Sequence, residues 1–355
     1  MNLDQANALR WTAAARGCYE VYYLTLNDLA SETGYWIRYV VQAPEITERS
    51  AELELWFAFL DRRNPERSFG VFERRPLATL ESRAAPFRLG FGGGPVGGRR
   101  FEPAELRHGL ARGEVGHGGR RVRWHLEWPA ASEPVLPFPE ALYSSGDLPG
   151  AMIYPYPATE FTGTIEIGDR RLVIEGAPGE QSHIWGRKHP PHWLWAHCNR
   201  FDDDPAGYLE VSCVPASADG PPPVHMLIAR VHGREVRLIA PLDGSAATSE
   251  SVPGRWSFAA ESERERIELE VNCPLELILE APYTDPDGSS CFCLHSDLAS
   301  CRLRLLERVA AGGAGREPEW ENVGEVSSEG CCHVEWGDWH EHPEVEGRIE
   351  RVGPG

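Results

Sequence analysis

Apolar and polar positions alternate along this chain in short runs of five to ten residues, and little of it keeps a helical period. Tyr35–Gln42 (YWIRYVVQ) is rich in aromatic and β-branched residues and stops at Ala43-Pro44, as a strand does. Glu52–Asp61 begins in strict alternation and then turns wholly apolar. Ser68–Glu73 follows a turn at Arg63-Asn64-Pro65, and further strands are predicted at Leu106–Leu110, Gly113–Val115 and Arg120–Trp128. Phe161–Ile167 and Arg170–Glu175 flank Gly168-Asp169, a two-residue hairpin signal. Trp193–Phe201, Tyr208–Val214, Val224–His232 and Glu235–Ala240 continue the series, which runs on to Val345–Val352 with turns at His232-Gly233 and Asp287-Gly288. Two stretches suggest helix: residues 3–16, where Leu3, Ala6, Leu9 and Ala13 share a side, and more weakly Tyr22–Ala30. So many short strands with tight turns predict an all-β, antiparallel barrel or sandwich architecture.

Pro129–Pro157 holds seven prolines and no sustained period, which marks a boundary. It divides the chain into residues 1–150 and 151–355, each long enough for one small barrel of the kind that encloses a single ligand. A faint echo supports two related halves. Tyr35-Trp36-Ile37-Arg38 precedes a turn and Leu55-Trp56-Phe57, and His192-Trp193-Leu194-Trp195 precedes a turn and Tyr208-Leu209.

Composition narrows the partners. The 355 residues carry 54 acids against 35 bases, a net charge of −19, which opposes binding to nucleic acid or an anionic membrane. A small hydrophobic molecule is the expected partner. No apolar run approaches a membrane span, and no leader pattern opens the chain. The nine cysteines form no CxxC pair, so a cytoplasmic protein with free thiols is expected.

Several chemistries find no footing. Gly92, Gly94 and Gly97 match GxGxxG in form, but Pro95 interrupts them and no helical segment follows to hold a phosphate. GxSxG, SxxK and P-loop motifs are absent. His183, His189, His192 and His197 cluster, as do Cys331, Cys332, His333, His340 and His342, but neither group has the spacing of a known metal site. No metal and no cofactor are expected. Lys188, the only lysine, lies beside Arg187 and His189 in a predicted loop and reads as solvated.

Acid–base chemistry remains. His183-x-Trp185 puts an imidazole and an indole on one side of an extended segment, and Tyr208-x-Glu210 does so for a phenol and a carboxyl. Facing one apolar cavity, a carboxyl with its proton retained by burial protonates a carbon–carbon double bond, and aromatic walls stabilise the cation. Facing water, the same residues are core bulk and a solvated acid, and the pattern allows both.

At these residues the chain resembles a superfamily of two-domain lipocalin-like proteins that includes carotenoid 1,2-hydratases, AttH-like proteins and, more distantly, tocopherol cyclases and some fungal pericyclases. The motif is His-x-Trp-Gly, here His183-Ile184-Trp185-Gly186, followed by a tryptophan-rich strand; Tyr35–Tyr39 and Leu55–Asp61 are similar to the group's opening strands. The resemblance implies two lipocalin-like antiparallel β-barrels with few short helices. It also implies a hydratase, cyclase or isomerase without a cofactor, acting on an isoprenoid- or polyketide-like substrate; a carrier of a hydrophobic ligand is the alternative on the same fold. Catalytic roles carry over to His183, Tyr208 and Glu210, with Glu210 where the hydratases have Asp and Ser182 where they have Asp before the histidine. Trp185, Trp193, Trp195, Trp36, Arg38 and Trp56 are the expected substrate-binding residues.

Overall fold

The computed structural model describes the chain apart from residues 47–49, 97–98, 117–119, 146–147, 149, 215–222, 311–317 and 353–355. Strand dominates its described residues, and the helices among them are few and short. The described residues fall into two compact units: residues 1–189 with 281–291 and 347–355, and residues 190–280 with 292–346.

This division replaces the expected one at residue 150. The proline-rich stretch is followed at Gly150 by an 18-residue strand that pairs on one side with Val122–Glu127 and on the other with Arg170–Gly186. The latter in turn pairs with Cys18–Asp28, Tyr22 lying opposite His183. Strand pairing thus ties residues 150–186 to the start of the chain.

In the first unit a short helix, α1 (Leu3–Asn7), precedes β1 (Cys18–Asp28), β2 (Thr33–Ala43), β3 (Glu52–Asp61), β4 (Phe69–Pro76), β5 (Leu80–Arg83), β6 (Arg88–Phe91), β7 (Gly94–Val96), β8 (Arg99–Phe101), β9 (Ala104–Arg107), β10 (Leu110–Val115), β11 (Val122–Glu127), β12 (Gly150–Ile167) and β13 (Arg170–Gly186). The order β4-β3-β2-β1-β13-β12-β11-β10-β9-β6-β5 is antiparallel throughout. The sheet curls around one core. Alternation decides what enters it: Tyr22, Leu24 and Leu26 of β1, Tyr35, Ile37 and Tyr39 of β2, and Leu55, Phe57 and Phe59 of β3 point inward. Each such side chain contributes about 1.5–3 kcal/mol when fully buried. The intervening Trp36, Arg38 and Trp56 occupy the other face and are buried as well.

In the second unit β14 (His192–Cys198), β15 (Tyr208–Val214), β16 (Val224–Val231), β17 (Arg234–Ala240), β18 (Ala246–Val252), β19 (Arg255–Glu261) and β20 (Glu265–Asn272) come first. After them β21 (Leu279–Thr284) and the start of β22 (Ser290–Ala310) lead through the returning segment, and β23 (Glu319–Asp338) and β24 (Gly347–Arg351) end the chain. The order is β17-β16-β15-β14-β23-β22-β20-β19-β18. β24 returns to the first unit, parallel to β4. Leu194, Ala196 and Cys198 of β14, Leu209 and Val211 of β15, and Val334 and Trp336 of β23 share one face and are buried.

The hairpins at Gly168-Asp169 and His232-Gly233 form as expected, closing on Ile167–Arg170 and Val231–Arg234. Gly94–Val96 and Arg99–Phe101 pair as a small ribbon, which leaves no helix start for the glycine motif; Gly97 lies outside the described residues. Two helix expectations fail. Residues 3–16 are helical only over Leu3–Asn7, capped by Asn2 and Gln5. The chain then extends because the Glu20 carboxylate takes the backbone N–H groups of Arg10 and Trp11 at 2.8 and 2.7 Å. Tyr22–Ala30 belongs to β1, since the core rewards Tyr22, Leu24 and Leu26 with period two. No helix among the described residues is long and apolar enough to cross a membrane.

Candidate functional site

The expected site residues divide between the units. His183, Trp185, Trp36, Arg38 and Trp56 belong to the first, and Trp193, Trp195, Tyr208 and Glu210 to the second.

In the first unit His183 is fully buried. Its Nδ1 lies 2.7 Å from the Ala6 carbonyl oxygen and its Nε2 2.8 Å from Glu20 Oε1. A carbonyl only accepts, so Nδ1 carries a proton; Nε2 and the Glu20 carboxyl share another. Tyr22 stacks on the imidazole at 4.1 Å, and the Trp185 ring stands 5.0 Å away. Arg10 covers that indole at 5.0 Å. His183 and Trp185 do come together, but the histidine is fully engaged in holding the N-terminal segment. Two surface depressions in this unit, of about 720 and 600 Å³, are lined by residues such as Met1, Asp4 and His108, and Trp11, Glu52 and Arg74. Neither takes in an expected site residue.

Also in the first unit, Trp36, Arg38 and Trp56 come together with Tyr283. The Arg38 guanidinium carbon lies 4.8, 5.4 and 4.3 Å from the three ring centres. Lys188 is 41% exposed and paired with Asp287 at 2.7 Å, so it is solvated as read. Its neighbour His189 is held by Asp285, Nδ1 to Oδ1 2.6 Å. With Cys291 they place three donor atoms within 4.8 Å of one another, a set invisible along the chain, since Asp285 lies 96 residues on. Burial and the Asp285 charge push the Cys291 thiol up, while Arg38 and Lys188 act the other way. Those same two cations oppose the loading of a divalent ion.

The second unit holds a denser array. Residues in register across neighbouring strands project on the same face. His197 of β14 pairs with Glu210 of β15 and with His333 of β23, and Trp195 pairs with Glu335, which in turn faces His295 of β22. One face of four adjacent strands therefore carries Glu210–His197–His333 as one row and Trp195–Glu335–His295 as the next. His197, Glu210, His295, Asp297 and His333 are all fully buried.

The two imidazoles of the first row meet Nδ1 to Nδ1 at 2.9 Å, and Trp195 lies parallel to His197 at 6.3 Å. In that contact one ring donates and the other accepts. Burial, reinforced by the charges of His197 and His295, holds His333 well below the usual imidazole range, so it stays neutral. His295 behaves oppositely. Burial alone would lower it, but Asp297 at 3.0 Å and Glu335 at 3.4 Å push it up to about 9. Burial raises Asp297 in turn, against the pull of His295. A charged and a neutral imidazole stand beside buried carboxyl groups, the arrangement that moves protons.

Tyr208 shares the Glu210 face by alternation, and Arg230 covers its ring at 5.1 Å. Burial and the Glu235 charge raise its phenol. Trp193 donates to Glu335 at 3.3 Å and lies against Gly337. A Cβ there would overlap the indole, so Gly337→Ala is expected to displace Trp193 and to cost about 1–3 kcal/mol; urea denaturation and near-ultraviolet circular dichroism would report both. The alternation His295-x-Asp297 and His333-x-Glu335 was readable as a clue, but without strand register nothing joined it to His197 and Glu210.

The chain belongs to the tocopherol cyclase-like family, whose model matches residues 152–338. Among curated proteins it is 26% identical over 305 residues to two uncharacterized proteins of Mycobacterium tuberculosis, one from each of two strains, covering 83% of this chain and 83% of each of theirs. Solved structures of the same fold include CghA (TM-score 0.54, 9% identity, 96% of this chain and 98% of that one) and a putative AttH from Nitrosomonas europaea (0.53, 10%, 96% and 100%). Kievitone hydratase from Nectria haematococca also shares it (0.51, 11%, 96% and 93%). The likeness to these three is one of fold, and it makes this an all-β protein of lipocalin-like fold.

Proposed function

We propose that this chain is a cofactor-independent hydratase, cyclase or isomerase that moves a proton onto and off a hydrophobic, isoprenoid- or polyketide-like substrate. The observation that carries this reading is the fully buried row Glu210–His197–His333 beside the His295–Asp297 pair. The family name and the hydratase among the fold relatives point the same way.

Glu210 delivers its proton to an alkene carbon. The carbocation takes water or an internal hydroxyl, and the proton released returns to the carboxylate, so atoms and charge balance. Tyr208 positions the substrate and Trp195 walls the cation. Trp193 is assigned to the apolar surround, and His183 and Trp185, which belong to the first unit, are given no step.

The test is incubation in D2O with prenols, prenylated phenols and polyenes, followed by mass spectrometry of carbon-bound deuterium. The wild type is expected to label or convert at least one. Glu210→Gln is expected to bind it unchanged and to lose about a hundredfold or more in rate. Binding without deuterium transfer in the wild type would replace this reading by the carrier.

A further inference from the structure

Cations gather at one place on the first unit. The chain carries a net charge of −19, yet the depression of about 600 Å³ is lined by Arg16, Arg74, Arg75 and Arg351 against one acid, Glu52. Three segments bring the arginines there. Arg16 follows the stretch that Glu20 holds extended. Arg74 and Arg75 lie near the end of β4. Arg351 belongs to β24, which runs parallel to β4 with Arg351 opposite Phe72. Alternation puts Arg74 on the face of Phe72, and so on the face of Arg351.

Two of the four are already engaged. Arg75 is buried, its Nε 2.6 Å from Glu73 and its other nitrogens on the carbonyls of Phe91, Glu102 and Glu114. Arg74 gives its Nε to Glu54 at 2.9 Å and stands 3.6 Å from Glu52. Arg16 and Arg351 are different. Both are exposed, and among the described residues neither guanidinium meets a carboxylate or a carbonyl. Guanidinium donors in a fork match two oxygens of one oxyanion. A phosphate monoester carries close to two negative charges at neutral pH, about one for each free guanidinium.

Much of the remaining lining is apolar. Trp11, Ala51 and Leu77 contribute to it, and Trp11 and Leu77 also pack on the core of the unit, so these walls are set in place. The volume falls within the range of small-molecule sites, about 300–1,000 Å³. Inorganic phosphate fills little of such a space. An ester with an aromatic or apolar body covers the indole as well as the charges.

We propose that this depression binds a small phosphate monoester with an aromatic or apolar body, held at the phosphate by Arg16 and Arg351 and at the body by Trp11. The site lies wholly within the first unit and is independent of the proton-transfer reading, whose catalytic groups belong to the second.

The experiment titrates the full chain with 1-naphthyl phosphate, 1-naphthol and inorganic phosphate at pH 7.5 by isothermal calorimetry. The ester is expected to bind at least tenfold more tightly than either of the others. Arg16→Gln and Arg351→Gln are each expected to weaken the ester at least threefold. The double variant is expected to bring it to within about twofold of naphthol, with naphthol itself unchanged. Both side chains are exposed, so the variants should keep the wild-type urea midpoint. Arg255→Gln, exposed on the second unit, is the control and should bind the ester as the wild type does. A readout that needs no variant is salt: raising sodium chloride from about 50 to about 500 mM is expected to weaken the ester at least threefold and not naphthol. An ester bound no more tightly than naphthol or inorganic phosphate overturns the proposal. So does an ester affinity that salt or the double variant leaves unchanged, or one that Arg255→Gln lowers equally.

Discussion

Glu20→Ala is expected to destabilise the first unit by about 3–5 kcal/mol, the range for removing one partner of a buried charged pair. The residue is 2% exposed, and its carboxylate gathers four donors. Arg10 and Trp11 give backbone N–H groups at 2.8 and 2.7 Å, His183 gives Nε2 at 2.8 Å, and the Tyr22 hydroxyl lies 3.1 Å away. Alanine leaves the Arg10 and Trp11 N–H groups and His183 Nε2 without that acceptor, while the Tyr22 hydroxyl keeps the Asn7 carbonyl at 2.9 Å, and each buried orphan costs about 1–3 kcal/mol. The loss should be structural as well as energetic. Arg10 and Trp11 are held extended by that carboxylate, and α1 meets His183 through Ala6 O. Urea denaturation gives the energy, and hydrogen exchange at residues 8–12 gives the local effect. An unchanged midpoint with unchanged protection there would show that Glu20 and His183 do not carry this corner of the fold. Glu20→Gln is a sharper probe, because it keeps the volume and places an amide where a four-way acceptor is needed.

This corner shows how far the sequence could be read. The motif His183-Ile184-Trp185-Gly186 was visible and its tryptophan does stand beside the histidine. Glu20 was not visible as its partner, because the two are 163 residues apart and are joined only by the register of β1 with β13. The same limit explains the helix ending at Asn7: periodicity suggested nine more residues, but a buried carboxylate claims the backbone beyond. Strands and tight turns were legible because they are set by residues adjacent in sequence, as at Gly168-Asp169. The boundary was misread because prolines mark irregular chain and say nothing of what the next strand pairs with. Arg38 was legible only as a candidate binding residue, and its burial among Trp36, Trp56 and Tyr283 depends on Tyr283, 245 residues on.

Stability of the second unit is expected to peak near pH 6.5 and to fall on both sides of it, for two different histidines. His295 is pushed up to about 9 by Asp297 and Glu335 against its burial. Between about 6.5, where the unfolded imidazole titrates, and 9, the folded chain holds a proton that the unfolded chain has released. Stability then falls as pH rises. The contribution of His295 is complete below 6.5 and gone above 9, a loss of about 3 kcal/mol at 1.36 kcal/mol per pH unit. His333 is held well below 6.5 by burial and by the neighbouring His197 and His295 charges. Below 6.5 the unfolded chain binds a proton that the folded chain refuses, so stability falls as pH falls. Urea denaturation at half-unit steps from pH 5 to 9.5 measures both limbs, and two variants assign them. His295→Gln should flatten the alkaline limb and soften the acid one, because it removes one of the charges that hold His333 down, whereas His333→Gln should flatten the acid limb and leave the alkaline one. A single limb, or two limbs insensitive to these changes, would mean that the row of buried groups does not hold the charges its geometry implies. The same opposition bears on catalysis: a neutral imidazole and a charged one on adjacent strands keep an acceptor and a donor available together between pH 6.5 and 9, so turnover should be broad across the window in which stability declines.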